Sequence, residues 1–570
     1  MAEEVWMLQT KKADFKQIGA RFRIDPVTAR IIRNRGIEGE AAIDRYLNGT
    51  LDDLYDPMLL KDMERAVSIL CEAVDTGKKI RIVGDYDIDG VCSTYILLQA
   101  FERLGSDVDF EIPDRIKDGY GINESIIEQA HADGVEVILT CDNGISAFHQ
   151  VELAKKYGMT VVITDHHEVP LDGEKEKIPP ADAVIDPKQE DCPYPFPEIC
   201  GAVVAYKLVQ VLYARRGVPQ MEWLDLLEFA AIATVGDVMK LQDENRILVK
   251  YGLKKMAQTK NLGLRRLAEK NNLDLGAITA YHIGFVIGPC LNAGGRLKTA
   301  KEALALLRAQ SEEEAERLAE ELKELNDTRK DMTEQGTEAA KLQVESWYQK
   351  DKVLVVFLPE CHESLAGIIA GRLREYYQKP AIVLTRGEEA VKGSGRSIDE
   401  YHMFKKLTEV SDLLLKFGGH PLAAGLSLEE ENIDEFRRRL NENAGLTEED
   451  FKAKVWIDVP MPVGYVTERL VRELSCLEPF GQGNEKPLFA EKSLRIRASR
   501  VLGRNRNVVK MTLEETDGHA IEALYFGDGT AFEEERAGRR EIDVVYYPDI
   551  NEYNGRKTLQ AVIRRYKFRG

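Results

Sequence analysis

Apolar positions along the chain fall into two periods. Short runs of β-branched and aliphatic residues stand between longer stretches with helical spacing: Lys79-Ile80-Arg81-Ile82-Val83, Val135-Glu136-Val137-Ile138-Leu139 and Val161-Val162-Ile163-Thr164. Runs of about five such residues between helical patterns predict buried strands of a parallel sheet. The alternation over residues 51–300 predicts a doubly wound α/β domain. Residues 301–347 contain no proline and a single glycine, Gly336, which predicts one or two long connecting helices. A second α/β domain, 348–450, opens with Val353-Leu354-Val355-Val356-Phe357-Leu358. Over 451–570 short alternating strands such as Leu494-Arg495-Ile496-Arg497-Ala498, and a hairpin turn at Tyr553-Asn554-Gly555-Arg556, predict a small β-barrel. Residues 1–50, mixed and charged, predict a helical flap. The fold class is multidomain α/β with a C-terminal barrel.

Composition narrows the setting. A chain of 570 residues is long enough for three or more domains with sizeable cores. No apolar stretch reaches the roughly 18–20 residues of a membrane span, and Met1-Ala2-Glu3-Glu4-Val5 lacks the basic start of a secretory leader. Eight cysteines without a C-x-x-C pair predict reduced thiols in a cytoplasm. The net charge of −19 argues against a polyanion as partner unless charge is segregated. Acidic helices such as Ser311-Glu312-Glu313-Glu314-Ala315-Glu316 then face solvent while basic residues gather in a groove.

The chemistry lies where the apolar runs stop. The first ends at Gly84-Asp85-Tyr86-Asp87-Ile88-Asp89-Gly90, the second at Asp142-Asn143-Gly144, and the third at Asp165-His166-His167. Ligands of open α/β sheets collect outside the carboxyl ends of the strands, so these groups should converge on one crevice. Carboxylates and imidazoles crowded there require bound cations. Taken singly, the Asp-rich loop is also compatible with a solvated turn, and Asn143-Gly144 is a common turn pair. A calcium loop needs Glu at its twelfth position, which counted from Asp85 is Ile96. Carboxylate oxygens with one or two imidazoles and no thiolate pair suit Mn²⁺ or Mg²⁺, and a carboxylate between two cations suits a two-metal clamp on a phosphoryl group.

These motifs resemble the DHH phosphoesterase superfamily. Ala231-Ile232-Ala233-Thr234-Val235-Gly236-Asp237-Val238, followed by Asn245-Arg246, is similar to its fourth motif. Longer segments resemble the RecJ single-strand-specific exonucleases from about residue 50 to the C-terminus. These are Gly288-Pro289-Cys290-Leu291-Asn292-Ala293-Gly294-Gly295-Arg296-Leu297, Gly393-Ser394-Gly395-Arg396-Ser397, Phe417-Gly418-Gly419-His420-Pro421-Leu422-Ala423-Ala424-Gly425 and Leu477-Glu478-Pro479-Phe480-Gly481-Gln482-Gly483-Asn484. Cys290 departs from the pattern, standing where many relatives carry Arg. The resemblance implies a DHH catalytic domain, a DHH-associated domain and an oligonucleotide-binding (OB) fold.

It further implies a 5′→3′ exonuclease that releases mononucleotides from single-stranded DNA with two Mn²⁺ or Mg²⁺ ions, in recombination and repair. The ligands implied are Asp87, Asp89, Asp142, His166 and Asp237, with Asp142 as bridge. Asp165 would orient His166, His167 would contact the scissile phosphate, and Asp85 would act through a metal-bound water. Substrate contacts are implied for Arg115, Asn292, Arg296, His362, Ser394, Arg396, Gly418, Gly419 and His420. Ser394 and Arg396 are placed in a Gly-flanked loop, Gly418-Gly419 suits an anion cradle or a tight strand-to-helix turn, and His362 is equally a helix cap. Over 491–510, Lys492, Arg495, Arg497, Arg500, Arg504, Arg506 and Lys510 face a single acid, Glu491. This stripe, with Tyr525 and Tyr553 as stacking rings and Phe526 assigned to the core, fits sequence-tolerant single-strand binding. Among relatives, partners include single-strand-binding protein and a helicase; a monomer and no membrane partner are expected here. Two rivals remain, a DHH enzyme for short oligonucleotides or cyclic dinucleotides and a non-catalytic scaffold.

Overall fold

The computed structural model describes residues 4–553 and 555–569. The chain forms two compact units, one from Tyr55–Met239 and Tyr251–Ala453, the other from Val5–Leu54, Lys240–Lys250 and Lys454–Gly570. Among the described residues no helix is long and apolar enough to cross a membrane.

The first unit contains a five-stranded sheet of β1 (Ile80–Val83), β2 (Val108–Glu111), β3 (Val137–Cys141), β4 (Thr160–Thr164) and β5 (Ala183–Ile185). All pairs are parallel and the order is β2-β1-β3-β4-β5. Strands β1 and β3 are buried throughout, which is why their sequences run apolar without alternation. Arg81 is accommodated in β1 because Asp109 and Asp133 bind its guanidinium at 2.7 and 2.8 Å. One face of the sheet packs Ile138, Val161 and Ile163 against Ile126, Ile127 and Val151. The other carries α1 (Ile88–Arg103) and α2 (Gly201–Arg216), each buried around most of its circumference. Strand order reverses between β1 and β3, the switch point where this topology binds ligands. Helix α3 (Leu227–Gly236) packs on α1 and α2, and α4 (Gly288–Leu297) closes the domain.

Helix α5 (Glu312–Gln343) starts at Ser311, whose hydroxyl accepts from Glu314 N, and its first turn holds three glutamates, both favourable at a helix N-terminus. It leads to a mixed sheet of β6 (Leu354–Phe357), β7 (Ala381–Arg386), β8 (Val391–Arg396), β9 (Leu414–Gly419) and β10 (Ala423–Leu428), with α6 (Glu363–Tyr377) after β6. Its order is β9-β10-β8-β7-β6, and β6–β7 is the parallel pair. Two readings of this region change. Ser394 and Arg396 lie within strand β8, not in a loop, and Gly418-Gly419 end β9 of a β-hairpin rather than a strand-to-helix turn.

The second unit is a closed barrel of β11 (Phe489–Leu502), β12 (Val508–Glu514), β13 (Ala520–Phe526), β14 (Glu541–Tyr553) and β15 (Arg556–Phe568), in which β11 also pairs β14. Its strands are longer than the alternation predicts. Register shifts between Glu491 and Leu494 and between Ile496 and Ala498 bend β11 so that one strand serves two neighbours. Asn554, in the expected hairpin turn, and the Tyr553 side chain lie outside the described residues. Among the described residues of the first fifty, the expected flap is not separate: Ile31, Ile32, Ile43 and Tyr46 share one buried cluster with Phe489, Leu494, Ile542 and Tyr546.

The 240–250 segment adds Arg246 to that cluster. Its fully buried guanidinium donates to the carbonyl oxygens of Tyr46, Cys476 and Leu477 at 3.1, 2.7 and 2.8 Å and lies 4.0 Å from the Tyr46 ring centroid. Arg246→Ala strands three buried carbonyls, and the expected loss in the barrel unit is about 3–5 kcal/mol by urea unfolding. Arg246→Lys, with fewer donors in a different geometry, should recover a minor part of it.

Candidate metal centre

Each strand end on the carboxyl side of the first sheet, β2 apart, delivers an ionisable group: Asp85 after β1, Asp142 after β3, Asp165 and His166 after β4, and Asp186 after β5. Asp142 has a left-handed backbone (φ 61°) that turns the chain sharply at this point. The Asp85–Gly90 loop runs straight into α1. Asp87 is the N-cap, its Oδ1 accepting from Asp89 N and Gly90 N at 3.0 and 3.1 Å. Asp89 is fixed by the start of α2, its two oxygens accepting from Gly201 N and Ala202 N at 2.7 Å each. Asp237 ends α3.

These groups meet at His166. Its Nε2 lies 3.1 Å from Asp142 Oδ1, 3.4 Å from Asp89 Oδ2 and 3.9 Å from Asp237 Oδ2. Three sets of donor atoms are each close enough to hold one ion: Asp85, Asp87 and Asp142; Asp89, His166 and Asp237; and Asp142, His166 and His167. Asp142 and His166 each belong to two sets. Every predicted ligand is therefore brought to one place.

The electrostatics fit cations. Burial, reinforced by neighbouring carboxylates, pushes the Asp85 and Asp237 carboxyls up to about 8 and that of Asp142 well above the usual range. Oδ2 of Asp85 and Nδ1 of His166 are buried without a hydrogen-bond partner. A donor set of hard oxygens with imidazole, crowded beyond what protons alone relieve, suits Mn²⁺ or Mg²⁺.

One predicted role changes. Asp165 reaches His166 only at its backbone N–H (2.7 Å); its side-chain partner is His167, whose Nδ1 lies 2.7 Å from Asp165 Oδ1. Asp165 also accepts from Ile145 N and His167 N. Burial opposes ionisation of Asp165, yet the bond to His167 and both imidazoles hold it below the usual carboxylate range. Burial likewise pulls His167 down, but the bond to Asp165 and its charge raise it to about 9.

The substrate candidates of the first unit form a second, cationic group. Arg115 lies 4.2 Å from the Tyr86 ring centroid. Arg296 donates to Ser364 O at 3.0 Å, and burial together with Arg115 and Arg329 lowers it to about 10. Arg396 Nη1 donates to Gly395 O and Ser394 Oγ. A Cβ on Gly367 would lie 2.8 Å from Ser394 Oγ and 2.9 Å from Arg396 Nη2, so glycine lets α6 close over this pair. His362 caps α6 through Ser364 N. Asn292 is half-buried on α4, while Cys290 is buried beside Asn271 and Asn326, facing the interior rather than a phosphate. His420 lines a cavity of about 300 Å³ with Tyr120, Asn143 and His167, whereas Gly418 and Gly419 do not line it.

Three residues escaped the sequence reading. Tyr120, between Gly119 and Gly121, donates to Asp142 O at 2.7 Å and contacts the His167 ring at 3.0 Å. Asp186 follows Ala183-Val184-Ile185, the same run-then-Asp signal seen at the other strands. Arg329 lies in a highly charged helix, where nothing marks one arginine out.

In the barrel, Arg495 and Arg497 face outward between buried Leu494 and Ile496, as the alternation predicts. Arg497 is clamped by Glu514, Lys510 by Glu522 and Arg506 by Thr530. Among the described residues Arg495, Arg500 and Arg504 form no ion pair. The two neighbouring rings exchange places: Tyr525 points inward against Phe532 and Tyr566, and Phe526 is 60% exposed. The register Ile521-Ala523-Tyr525 faces the core, so residue 526 must face out.

Residues 79–234 match the DHH family N-terminal domain, 350–445 the DHHA1 domain and 457–565 the RecJ OB domain. The single-stranded-DNA-specific exonuclease RecJ of Bacillus subtilis strain 168 is 36% identical over 564 residues, 98% of this chain and 70% of that protein. The chain belongs to the RecJ family. The RecJ of Escherichia coli K12 is 34% identical over 95% of either chain. The crystal structure of Thermus thermophilus RecJ in complex with Mn²⁺ superposes with a TM-score of 0.84 at 28% identity, covering 99% of this chain and 79% of that one; its Mg²⁺ complex gives 0.77 at 27%. Solved RecJ structures thus hold one or other of the cations that the donor set favours.

Because Asp165 ties down the whole histidine turn, Asp165→Ala should leave the ligands present but misplaced. Mn²⁺ affinity, followed by isothermal titration calorimetry, is expected to fall about 10- to 100-fold.

Proposed function

We propose that this chain is a single-stranded-DNA-specific exonuclease that cuts mononucleotides from the 5′ end in DNA recombination and repair, using two Mn²⁺ or Mg²⁺ ions. The observation that carries the reading is the Asp142 carboxylate, which shares one donor set with Asp87 and lies 3.1 Å from His166 Nε2, the imidazole of the set with Asp89 and Asp237. One carboxylate shared by adjacent donor sets is what a pair of cations on a single phosphodiester requires. The ions supply Lewis acidity that activates water and offsets phosphoryl charge.

The protein's own groups do the rest. Asp87, Asp89, Asp142, His166 and Asp237 hold the ions, and Asp85 steadies their hydration. Asp165 keeps His167 cationic, so its Nε2–H, 3.2 Å from the Tyr120 hydroxyl, can turn to an oxygen of the scissile phosphate. Tyr120 pins the Asp142 backbone and the His167 ring together. Arg115, Ser394 and Arg396 receive the 5′-terminal phosphate, and Arg296 the phosphate chain beside it. In the barrel, Arg495, Arg500 and Arg504 track the backbone. A cytoplasmic monomer working with a single-strand-binding protein and a helicase belongs to the same proposal.

Two experiments test it. Asp142→Ala should abolish hydrolysis of a labelled single strand while leaving the thermal melt intact, and wild-type activity should vanish in chelator and return with Mn²⁺. Near-normal turnover by folded Asp142→Ala protein rules the shared-carboxylate reading out. Arg115→Ala and Arg396→Ala each remove charge-assisted contacts worth about 1.5–3 kcal/mol, roughly ten- to a hundredfold in affinity. Their losses should be larger on 5′-phosphorylated than on 5′-hydroxyl strands; equal losses on both would show that these residues do not read the terminal phosphate.

A further inference from the structure

Two large aromatic side chains are left in the open close to the metal loop. Tyr281 is 63% and Phe285 68% exposed, and their rings stack with centroids 4.7 Å apart and planes 27° from parallel. They lie on the helical stretch that begins at Thr279, passes through a π-helical turn at Ile283–Ile287 and continues as α4. Pro289 accounts for that turn: it lacks an N–H, and its ring would meet the carbonyl of Phe285 in a regular helix. Gly288 N–H instead bonds five residues back, to Ile283 O.

The turn packs against the site. A Cβ on Gly284 would lie 3.7 Å from Val235 Cγ1, two residues before Asp237. A Cβ on Gly288 would lie 3.3 Å from Ile88 Cδ1, between Asp87 and Asp89. Along this helix a stripe of open or half-open positions at spacings of three and four runs through Tyr281, Phe285, Pro289, Asn292 and Arg296. The stripe therefore starts at an aromatic pair and ends at the guanidinium beside Arg115 and Arg329. Phe285 and Arg296 are about 16 Å apart along the axis at 1.5 Å per residue.

We propose that Tyr281 and Phe285 form a base-stacking platform for the substrate strand, on the side away from its 5′ end. This rests on the single-strand reading above and adds a contact to it. A solvent-facing aromatic pair is costly to leave uncovered, and a second copy or a protein partner would cover it equally well. Single-stranded DNA is favoured because the same stripe continues into arginines that, among the described residues, have no carboxylate partner, and such arginines demand phosphate. Stacking is indifferent to base identity, as a nuclease that moves along any sequence needs.

The test is a cycle of ring and base removals. Binding of a long 5′-phosphorylated single strand is measured in chelator, without turnover, for wild type, Tyr281→Ala, Phe285→Ala and the double variant. Each strand is either intact or carries one abasic site, moved stepwise from the 5′ end. Single ring removals should weaken binding of the intact strand about tenfold or more, and the slope of log affinity against log salt should not change, because no phosphate contact is lost. At one abasic position wild type should lose affinity while the double variant loses none further. Phe285→Trp and Tyr281→Phe should bind like wild type, which separates stacking from helix damage. Binding by the double variant equal to wild type, additive losses at every abasic position, or a flattened salt slope would overturn the platform. Cleavage by wild type with Mn²⁺ is scored separately: its absence refutes the exonuclease reading, whereas the binding cycle decides the platform either way.

Discussion

Burial of like charge at the carboxyl ends of β1, β3 and β4 is the constraint around which the catalytic domain is organised. Carboxylates that approach each other within a few ångströms of an imidazole cannot all ionise in a dry crevice without compensation. Part of that compensation is built into the backbone. Helix α1 starts at Asp87 and α2 starts beneath Asp89, so two helix N-termini direct their N–H groups and partial positive charge at the same loop. Close approach decides residue identity here: a Cβ at position 201 would lie 2.7 Å from Asp142 Cβ. Cations complete what the helices begin, which is why the donor set is assembled so tightly.

The opposite charge is concentrated just as sharply. Among the described residues, Arg115, Arg329 and Arg396 all bear on Arg296, and no carboxylate is bonded to any of the four. Elsewhere many arginines and lysines are matched to acids, including Arg497 and Lys510 of the barrel. A chain of net charge −19 can thus present a polyanion with an unneutralised cationic group beside its metal-dependent acidic group. Net charge alone would have pointed away from nucleic acid; its distribution points towards it.

Strand ends were legible because chemistry and periodicity break at the same residue. Val83 to Asp85, Cys141 to Asp142 and Thr164 to Asp165 each mark the end of a buried run and the start of the site. The alternation at Leu494–Ile496 was legible for the same reason. What escaped depends on the third dimension. Nothing local tells that Asp165 turns to His167 rather than His166, or that Tyr120 reaches across to Asp142. Gly-Ser-Gly-Arg at 393–396 looks like a loop, yet it forms a strand because β7 and β10 flank it and supply its hydrogen bonds. Tyr525 and Phe526 were interchanged because a single-residue error in strand phase moves every side chain to the other face.

The Arg246 contacts bear on how the protein is made. Residues 240–250 emerge from the ribosome directly after Asp237, but the carbonyl groups that Arg246 binds at 476 and 477 are more than two hundred residues further along the chain. Until those are synthesised, a charged guanidinium and the helices of residues 15–48 have no interior to enter. The barrel unit is therefore assembled from both ends of the chain and a piece of its middle, and cannot form during synthesis of the first half. The catalytic sheet, contained within residues 80–185, can. A messenger cut short in the last quarter would accordingly yield more than an enzyme without its barrel: it would leave the Arg246 guanidinium without two of its carbonyl partners, nine residues beyond Asp237.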